Sequence, residues 1–159
     1  MSEIQNNIPA EETEQDINIL KKIRLEKLND LKSRNINPFE ITKYDVNAKN
    51  ADLKAQYEAD EKKIIEEADG DEEKINAGLE KIKEKDVRIA GRIMSWRNMG
   101  KANFIDVRDG SDRIQVYVRS NDIGTEEFKE FKKWDIGDIV GVEGFVFRTR
   151  KGEISVHAH

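Results

Sequence analysis

The sequence contains no cysteine, only two prolines, and no apolar run long enough to cross a membrane. The lack of cysteine excludes disulfide bonds, thiolate metal sites and cysteine nucleophiles, and it is typical of a reducing compartment. A spanning helix needs roughly 18 apolar residues. The first residues, MSEIQNNIPAEETEQD, are acidic and polar, unlike a secretion signal. We therefore expect a soluble, cytoplasmic protein that does not contact membranes.

Residues suited to catalysis or metal binding are also scarce. The two histidines, His157 and His159, stand two positions apart at the end of the chain, which is too few for a metal site. The glycines form no phosphate-binding loop, and no nucleophile is paired with a base. Asp106 and Asp109 are predicted to be turn and surface residues rather than an acid–base pair. The sequence therefore predicts neither a catalytic site nor a metal site.

Charge, by contrast, is abundant and unevenly distributed. Charged residues make up 38% of the chain, and the formal net charge is −5. Residues 58–86 include twelve acidic and six basic side chains, whereas residues 88–101 include four basic and no acidic ones. Nucleic acids are bound largely through lysine and arginine. The negative net charge therefore does not exclude a nucleic-acid partner for this basic run.

The first half of the chain has a helical pattern. Apolar residues recur at helical spacing over residues 14–34, which predicts an amphipathic helix that ends before Asn37-Pro38. Residues 41–86 have sparse apolar positions and a break near Asp69-Gly70, which predicts two solvated helices outside the core. We expect residues 1–13 to be disordered and residues 14–85 to form the N-terminal helix and a helical linker.

From Asp86 onward the pattern changes to the alternation of β-strands. Five strands with one helix between the third and fourth are typical of an oligonucleotide-binding fold, or OB-fold, a five-stranded β-barrel. The predicted fold class is therefore α+β, with the barrel over residues 86–159 and the N-terminal helix packed against it. The residues predicted to point inward are Val87, Ile89, Ile93, Ile105, Val107, Ile114, Val116, Val118, Ile139 or Val140, Ile154 and Val156.

The opposite face of the second and third strands carries an aromatic ring among polar residues. Alternation places Phe104 outward with Asp106, Gln115 and Tyr117. In OB-folds this face binds nucleic acid together with the loops that follow the first and fourth strands. An outward ring can stack on an unpaired base, pair across strands with Tyr117, or be covered by another segment. The candidate RNA contacts are Trp96, Arg97, Lys101, Phe104, Gln115, Tyr117, Arg148, Arg150, Lys151 and Glu153; for the polar ones an ordinary surface role is the alternative.

Three segments carry a family resemblance: RLEKLNDLKSRNINPFE, VRIAGRIMSWRNMGKANFIDVRDGSDRIQVYVR and FKKWDIGDIVGVEGFVFRTRKGEISVHA. Across almost its whole length the chain resembles the N-terminal anticodon-binding domain of bacterial class II lysyl-tRNA synthetases. Aspartyl and asparaginyl enzymes share the barrel, but INPF and the MGKANF to DGSDRIQVYV run resemble the lysine branch. Residues 60–85 are longer than the usual connection in this family, so no role is assigned to them.

The resemblance implies recognition of the UUU anticodon loop of lysine tRNA. Its stacking phenylalanine corresponds to Phe104 and its glutamine to Gln115, which together hold the middle uridine. Lys101, which the strand pattern places in or beside the first loop, is a further predicted anticodon contact. The first-loop arginine corresponds to Arg97, and the acidic residue after the second loop, Glu153, is placed to read a flanking uridine. The parent enzyme would be a homodimer whose catalytic domain holds lysine, ATP and magnesium. This chain alone is expected to be monomeric, to bind tRNA without charging it, and to hold no cofactor.

Two other functions are compatible with the pattern. The helix and the acidic linker could dock a protein partner while the barrel serves as scaffold, or the aromatic face could bind single-stranded nucleic acid without sequence preference. Salt distinguishes the first alternative, because binding to phosphates weakens as salt rises, whereas docking through an apolar face does not. Competition between UUU and CCC hairpins distinguishes the second.

Overall fold

The structure, a computed structural model, describes residues 14–159, so the prediction for residues 1–13 lies outside the described residues. The described residues divide into two compact units, one that ends at Lys43 and one that covers Tyr44–His159. The helices are α1 (Glu14–Ser33), α2 (Asn50–Ala68), α3 (Glu72–Lys83), α4 (Ser120–Ile123) and α5 (Thr125–Phe131). The strands are β1 (Val87–Met99), β2 (Ala102–Arg108), β3 (Arg113–Arg119), β4 (Ile139–Arg148) and β5 (Ile154–Ala158).

The first unit contains α1, which matches the helix predicted from its apolar spacing. The helix ends where Asn35 adopts a left-handed backbone with φ of 59°, and the amide of Ile36 donates to the carbonyl of Leu31 at 3.0 Å. Asparagine tolerates this conformation better than most residues, so the helix stops before the restriction that Pro38 places on Asn37. The packing of this helix against the barrel stays a prediction.

The second unit is built on a closed barrel with the strand order β1-β2-β3-β5-β4. Neighbouring strands are antiparallel except β3 and β5, which run parallel, and β1 closes the ring by pairing with β4. This is the five-stranded arrangement of an OB-fold, so the predicted α+β class and barrel are confirmed. No helix in residues 14–159 is long and apolar enough to span a membrane.

The barrel interior consists of the branched aliphatic residues that alternation assigns to it. Ile89, Ile93, Val107, Val116 and Val156 are completely buried. The other predicted inward positions are buried as well, with Val140 inside and Ile139 exposed at the β4 end. The register predicted for β2 and β3 is therefore confirmed, because a shift by one residue would have turned these side chains to solvent.

Helix α2 belongs to the core, and this corrects the prediction of a solvated linker. Leu53 and Tyr57 are buried within the barrel's hydrophobic cluster. The expected break is present, since Asp69 and Gly70 both have left-handed backbones and the Asp71 carboxylate accepts from the first amides of α3. Two apolar residues one helical turn apart are enough to pack the helix into this cluster, although they form only a sparse pattern in the sequence.

Helix α2 is attached to the barrel at its start and near its middle. At its start, the amide of Asn50 donates to Asp109 at 2.8 Å, and its side-chain amide donates to the carbonyl of Val107 at 3.0 Å. Just past its middle, Glu61 accepts from the guanidinium of Arg148 at 2.5 Å. The turn between β2 and β3 thereby caps a helix that lies far away in sequence. Residues 44–159 consequently form one compact unit, which begins well before the predicted barrel boundary at residue 86.

Candidate nucleic-acid interface

Phe104 lies on the outer face of β2, as alternation predicts. It is half-buried and stands directly opposite Tyr117 on β3, with the ring centroids 4.9 Å apart. The guanidinium carbon of Arg97, its partner on β1, lies 5.2 Å from the ring centroid of Phe104. The cross-strand alternative is therefore present in the structure, and base stacking on the accessible part of the ring stays a prediction.

The aromatic surface continues beyond the predicted residues. Tyr117 is opposite His157 on β5, with centroids 5.0 Å apart, and His157 is opposite Phe145 on β4, with centroids 4.8 Å apart. Asp122 contacts Nε2 of His157 at 2.7 Å and receives two hydrogen bonds from Arg119, which lower the pKa of Asp122 to about 2 despite its partial burial. The alternating sequence FVF of β4 predicts outward aromatic rings on that strand, but it was not used to extend the predicted aromatic surface.

Gln115 is buried, with 5% of its surface exposed, although it was predicted to be an exposed polar residue of the outer face. It lies between Asp106 on β2 and Ser155 on β5, both of which are its direct strand partners. The hydroxyl of Ser155 donates to Oε1 of Gln115 at 2.9 Å. Neighbouring strands on both sides enclose the side chain, and a hydrogen bond compensates for its burial.

Glu153 stands at the start of β5 beside a charged network. Oδ2 of Asp106 accepts from the hydroxyl of Ser95 at 2.6 Å and from the guanidinium of Arg113 at 2.8 Å. The same guanidinium lies 3.9 Å from the carboxylate of Glu153, which is 48% exposed. Glu153 therefore remains accessible while Arg113 limits its position. Asp106 and Arg113 were not among the predicted RNA contacts, because the sequence around a single surface charge does not indicate which residues it pairs with.

Trp96 does not point to this face, which corrects its place among the candidate contacts. A register shift between Ile93 and Ser95 puts Trp96 opposite the inward-facing Ile105. Its ring stacks on Phe131 of α5 with centroids 4.5 Å apart, and its Nε1 donates to Asn103 at 2.8 Å. The bulge moves the side chain to the barrel end. Inward and outward side chains therefore alternate along β1 only from Val87 to this irregularity.

Arg148 is likewise occupied within the protein. Besides Glu61, its guanidinium donates to the carbonyl of Gly152 at 2.8 Å and lies 5.8 Å from the ring of Tyr57. These bonds to Glu61 raise the pKa of Arg148 further above its usual range. Arg148 thus holds α2 on the barrel rather than presenting its charge to the outer face.

The basic run over residues 88–101 separates in three dimensions. Arg88 donates to the carbonyl of Asp45 at 2.9 Å, and Arg92 donates to the carbonyl of Gly137 at 2.7 Å. Arg97, beside Phe104, and Lys101, in the turn between β1 and β2, are both exposed. Arg150 and Lys151 are exposed in the turn between β4 and β5, at the other end of the face. The outer face therefore has an aromatic centre, one buried amide, one accessible carboxylate, and cations at both ends.

The described residues 14–159 contain no group of acidic or histidine side chains placed to hold a metal ion. The polar groups of the outer face are arranged singly along strands rather than around a common point. Aromatic rings, amides and charges in this arrangement suit stacking and hydrogen bonding with flat, polar ligands such as nucleobases.

The chain is similar to a known domain family and to several known proteins. Residues 87–159 match the family described as an OB-fold nucleic acid binding domain of the tRNA anticodon type. The chain is 38% identical over 157 residues to a lysine–tRNA ligase of Clostridium tetani, covering 99% of this chain and 26% of that protein. It is 41% identical over 146 residues to the lysine–tRNA ligase of Syntrophomonas wolfei, covering 92% and 25%.

A solved structure is also similar. Asparaginyl-tRNA synthetase from Pyrococcus horikoshii, complexed with asparaginyl-adenylate, matches with 33% identity and a TM-score of 0.44, covering 46% of this chain and 18% of that one. The chain spans about a quarter of the length of the curated relatives it matches.

Proposed function

Because the chain belongs with the anticodon-binding OB-fold domains of lysyl-tRNA synthetases, we propose that its outer face binds the UUU anticodon loop of lysine tRNA. The observation that carries this proposal is the arrangement around Phe104. A half-buried ring with a neighbouring guanidinium lies between two cationic turns, and Gln115 and Glu153 lie further along the same face, toward Arg113. Phe104 supplies the stacking surface, and the exposed cations contact phosphates.

The polar residues supply base selectivity. Uracil presents an N3–H donor between two carbonyl acceptors, whereas cytosine has an acceptor at N3 and an amino donor beside it. The Glu153 carboxylate only accepts hydrogen bonds, so it pairs with N3–H of uracil and repels N3 of cytosine. The Glu153 carboxylate lies 3.9 Å from the Arg113 guanidinium, a long contact, so it can accept a hydrogen bond from uracil in place of this ion pair. Arg97 can donate to the uracil carbonyls or stack on the base.

We further propose that the parent enzyme is a lysine–tRNA ligase. Binding of ATP and magnesium and formation of the homodimer are proposed for that parent enzyme, not for the 159-residue chain. The 159-residue chain spans about a quarter of such relatives. We expect it to bind tRNA as a monomer, without a cofactor and in the cytoplasm. We also expect it not to catalyse lysine-dependent exchange of pyrophosphate with ATP. Exchange by the purified chain above the level of a buffer control would contradict this expectation.

The test of the binding proposal is a titration with three RNA hairpins of identical stem and loop size. The loops carry the anticodon UUU, the same anticodon with flanking bases changed, or CCC. We expect preference for UUU and an affinity that falls steeply with salt, because phosphate contacts release counterions. Equal binding of UUU and CCC would identify a nonspecific single-strand binder. Absence of hairpin binding at low salt would refute the proposal and leave a protein-interaction module.

A further inference from the structure

Gln115 and Ser155 form a buried polar pair within the proposed interface. Ser155 is completely buried, and the two residues are direct partners across the parallel strands β3 and β5. The Ser155 hydroxyl lies 2.9 Å from Oε1 of Gln115 and 3.3 Å from the carbonyl of Glu153. A serine hydroxyl has one proton to donate, so the shorter contact is the better hydrogen bond.

This hydrogen bond determines which half of the amide a ligand meets. The oxygen of Gln115 is held toward β5, and the NH2 group is therefore directed away from that strand. A free glutamine amide can rotate by half a turn and offer either a donor or an acceptor. The enclosure of Gln115 between β2 and β5 and the bond to Ser155 together select one of these two orientations.

We propose that Ser155 is a positioning residue for base selection, because its hydroxyl holds the Gln115 amide with only N–H donors directed to the ligand. This inference rests on the proposed binding of an unpaired pyrimidine at the face beside Phe104. A donor suits a carbonyl oxygen of uracil. Cytosine places an amino donor where uracil has O4, so two donors would face each other. An amide released from Ser155 can rotate and accept from that amino group, which would relax the selection.

The experiment compares Ser155→Ala with the unchanged chain, using hairpins with UUU or UCU in the loop. A neutral hydrogen bond contributes about 1 kcal/mol, so we expect the preference for UUU over UCU to narrow about fivefold. The narrowing should come mainly from tighter binding of UCU. Ser155→Thr keeps the hydroxyl and serves as the conservative control, in which the preference should be retained.

A second background separates positioning from a structural role. In a Gln115→Ala chain, the further change Ser155→Ala should leave the UUU to UCU ratio unaltered, because the group on which Ser155 acts is gone. Ser155→Ala that melts at a lower temperature but keeps the full preference would overturn the inference while leaving the anticodon proposal intact. An equal change of the ratio in the Gln115→Ala background would overturn it too. Failure of the unchanged chain to bind either hairpin would refute both.

Discussion

Replacement of Phe104 by alanine should separate binding from folding. Stacking of a base on an aromatic side chain contributes about 1–3 kcal/mol, so we expect Phe104→Ala to weaken binding of the UUU hairpin about 5- to 150-fold. The ring also packs on Tyr117 at 4.9 Å and lies 5.2 Å from the guanidinium of Arg97. Loss of these two contacts should lower the free energy of unfolding by about 1–2 kcal/mol.

A matched control is available on the same surface. Phe145 is a half-buried outward ring that packs on His157 at 4.8 Å, so Phe145→Ala should cost similar stability. It lies at the far end of the aromatic row, separated from Phe104 by the rings of Tyr117 and His157. Phe145→Ala should therefore weaken hairpin binding much less than Phe104→Ala does. Ile105→Ala, in the adjacent inward position, should lower the free energy of unfolding by about 2–5 kcal/mol.

The assay is a fluorescence titration of the UUU hairpin at a temperature well below each variant's melting point, together with thermal melts. Wild-type affinity in folded Phe104→Ala would refute stacking on this ring. So would equal weakening by Phe104→Ala and Phe145→Ala, because the effect would then report general disturbance of the sheet rather than contact with a base.

Three further predictions concern charged residues. Glu153→Gln should relax discrimination between UUU and CCC hairpins more than it weakens UUU binding, since the amide can also donate to cytosine N3; an unchanged ratio in competition titrations would exclude Glu153 from base reading. Burial tends to raise the pKa of Asp109, but hydrogen bonds from Asn50, Ser111 and Asp112 lower it to about 2. Because the pKa of Asp109 is lower in the folded than in the unfolded state, its carboxylate should contribute about 1 kcal/mol to the free energy of unfolding above pH ~4, after allowance for solvent screening, and this contribution should disappear as the pH falls toward ~2. In denaturant unfolding, Asp109→Ala should therefore lose less stability over that pH range than the unchanged chain. Identical pH profiles of the two proteins would refute this. Arg148→Ala should lower the melting temperature by detaching Glu61 of α2 while leaving hairpin affinity nearly unchanged, and a large loss of affinity without a change in melting would show that Arg148 contacts RNA after all.

The sequence by itself determined the barrel and the direction of its side chains. Alternation placed Ile105 and Val116 inside and Phe104 and Tyr117 outside, and the structure agrees. This succeeds because strand side chains alternate strictly, and water separates the apolar from the polar set. The strict alternation ends at the register shift between Ile93 and Ser95, which the local sequence does not mark and which places Trp96 opposite the inward-facing Ile105.

Tertiary structure alone decided which polar groups act together. Ser155 lies 40 positions from Gln115, and Glu61 lies 87 positions from Arg148, so neither pairing has a local pattern. The first arises because β3 and β5 are neighbouring parallel strands, and the second because α2 packs into the barrel's hydrophobic cluster. A hydrogen bond depends on donor and acceptor meeting within about 3 Å in a suitable orientation. Hydrophobic periodicity specifies which face a side chain occupies, but the partner on that face is set only when distant strands close into the barrel.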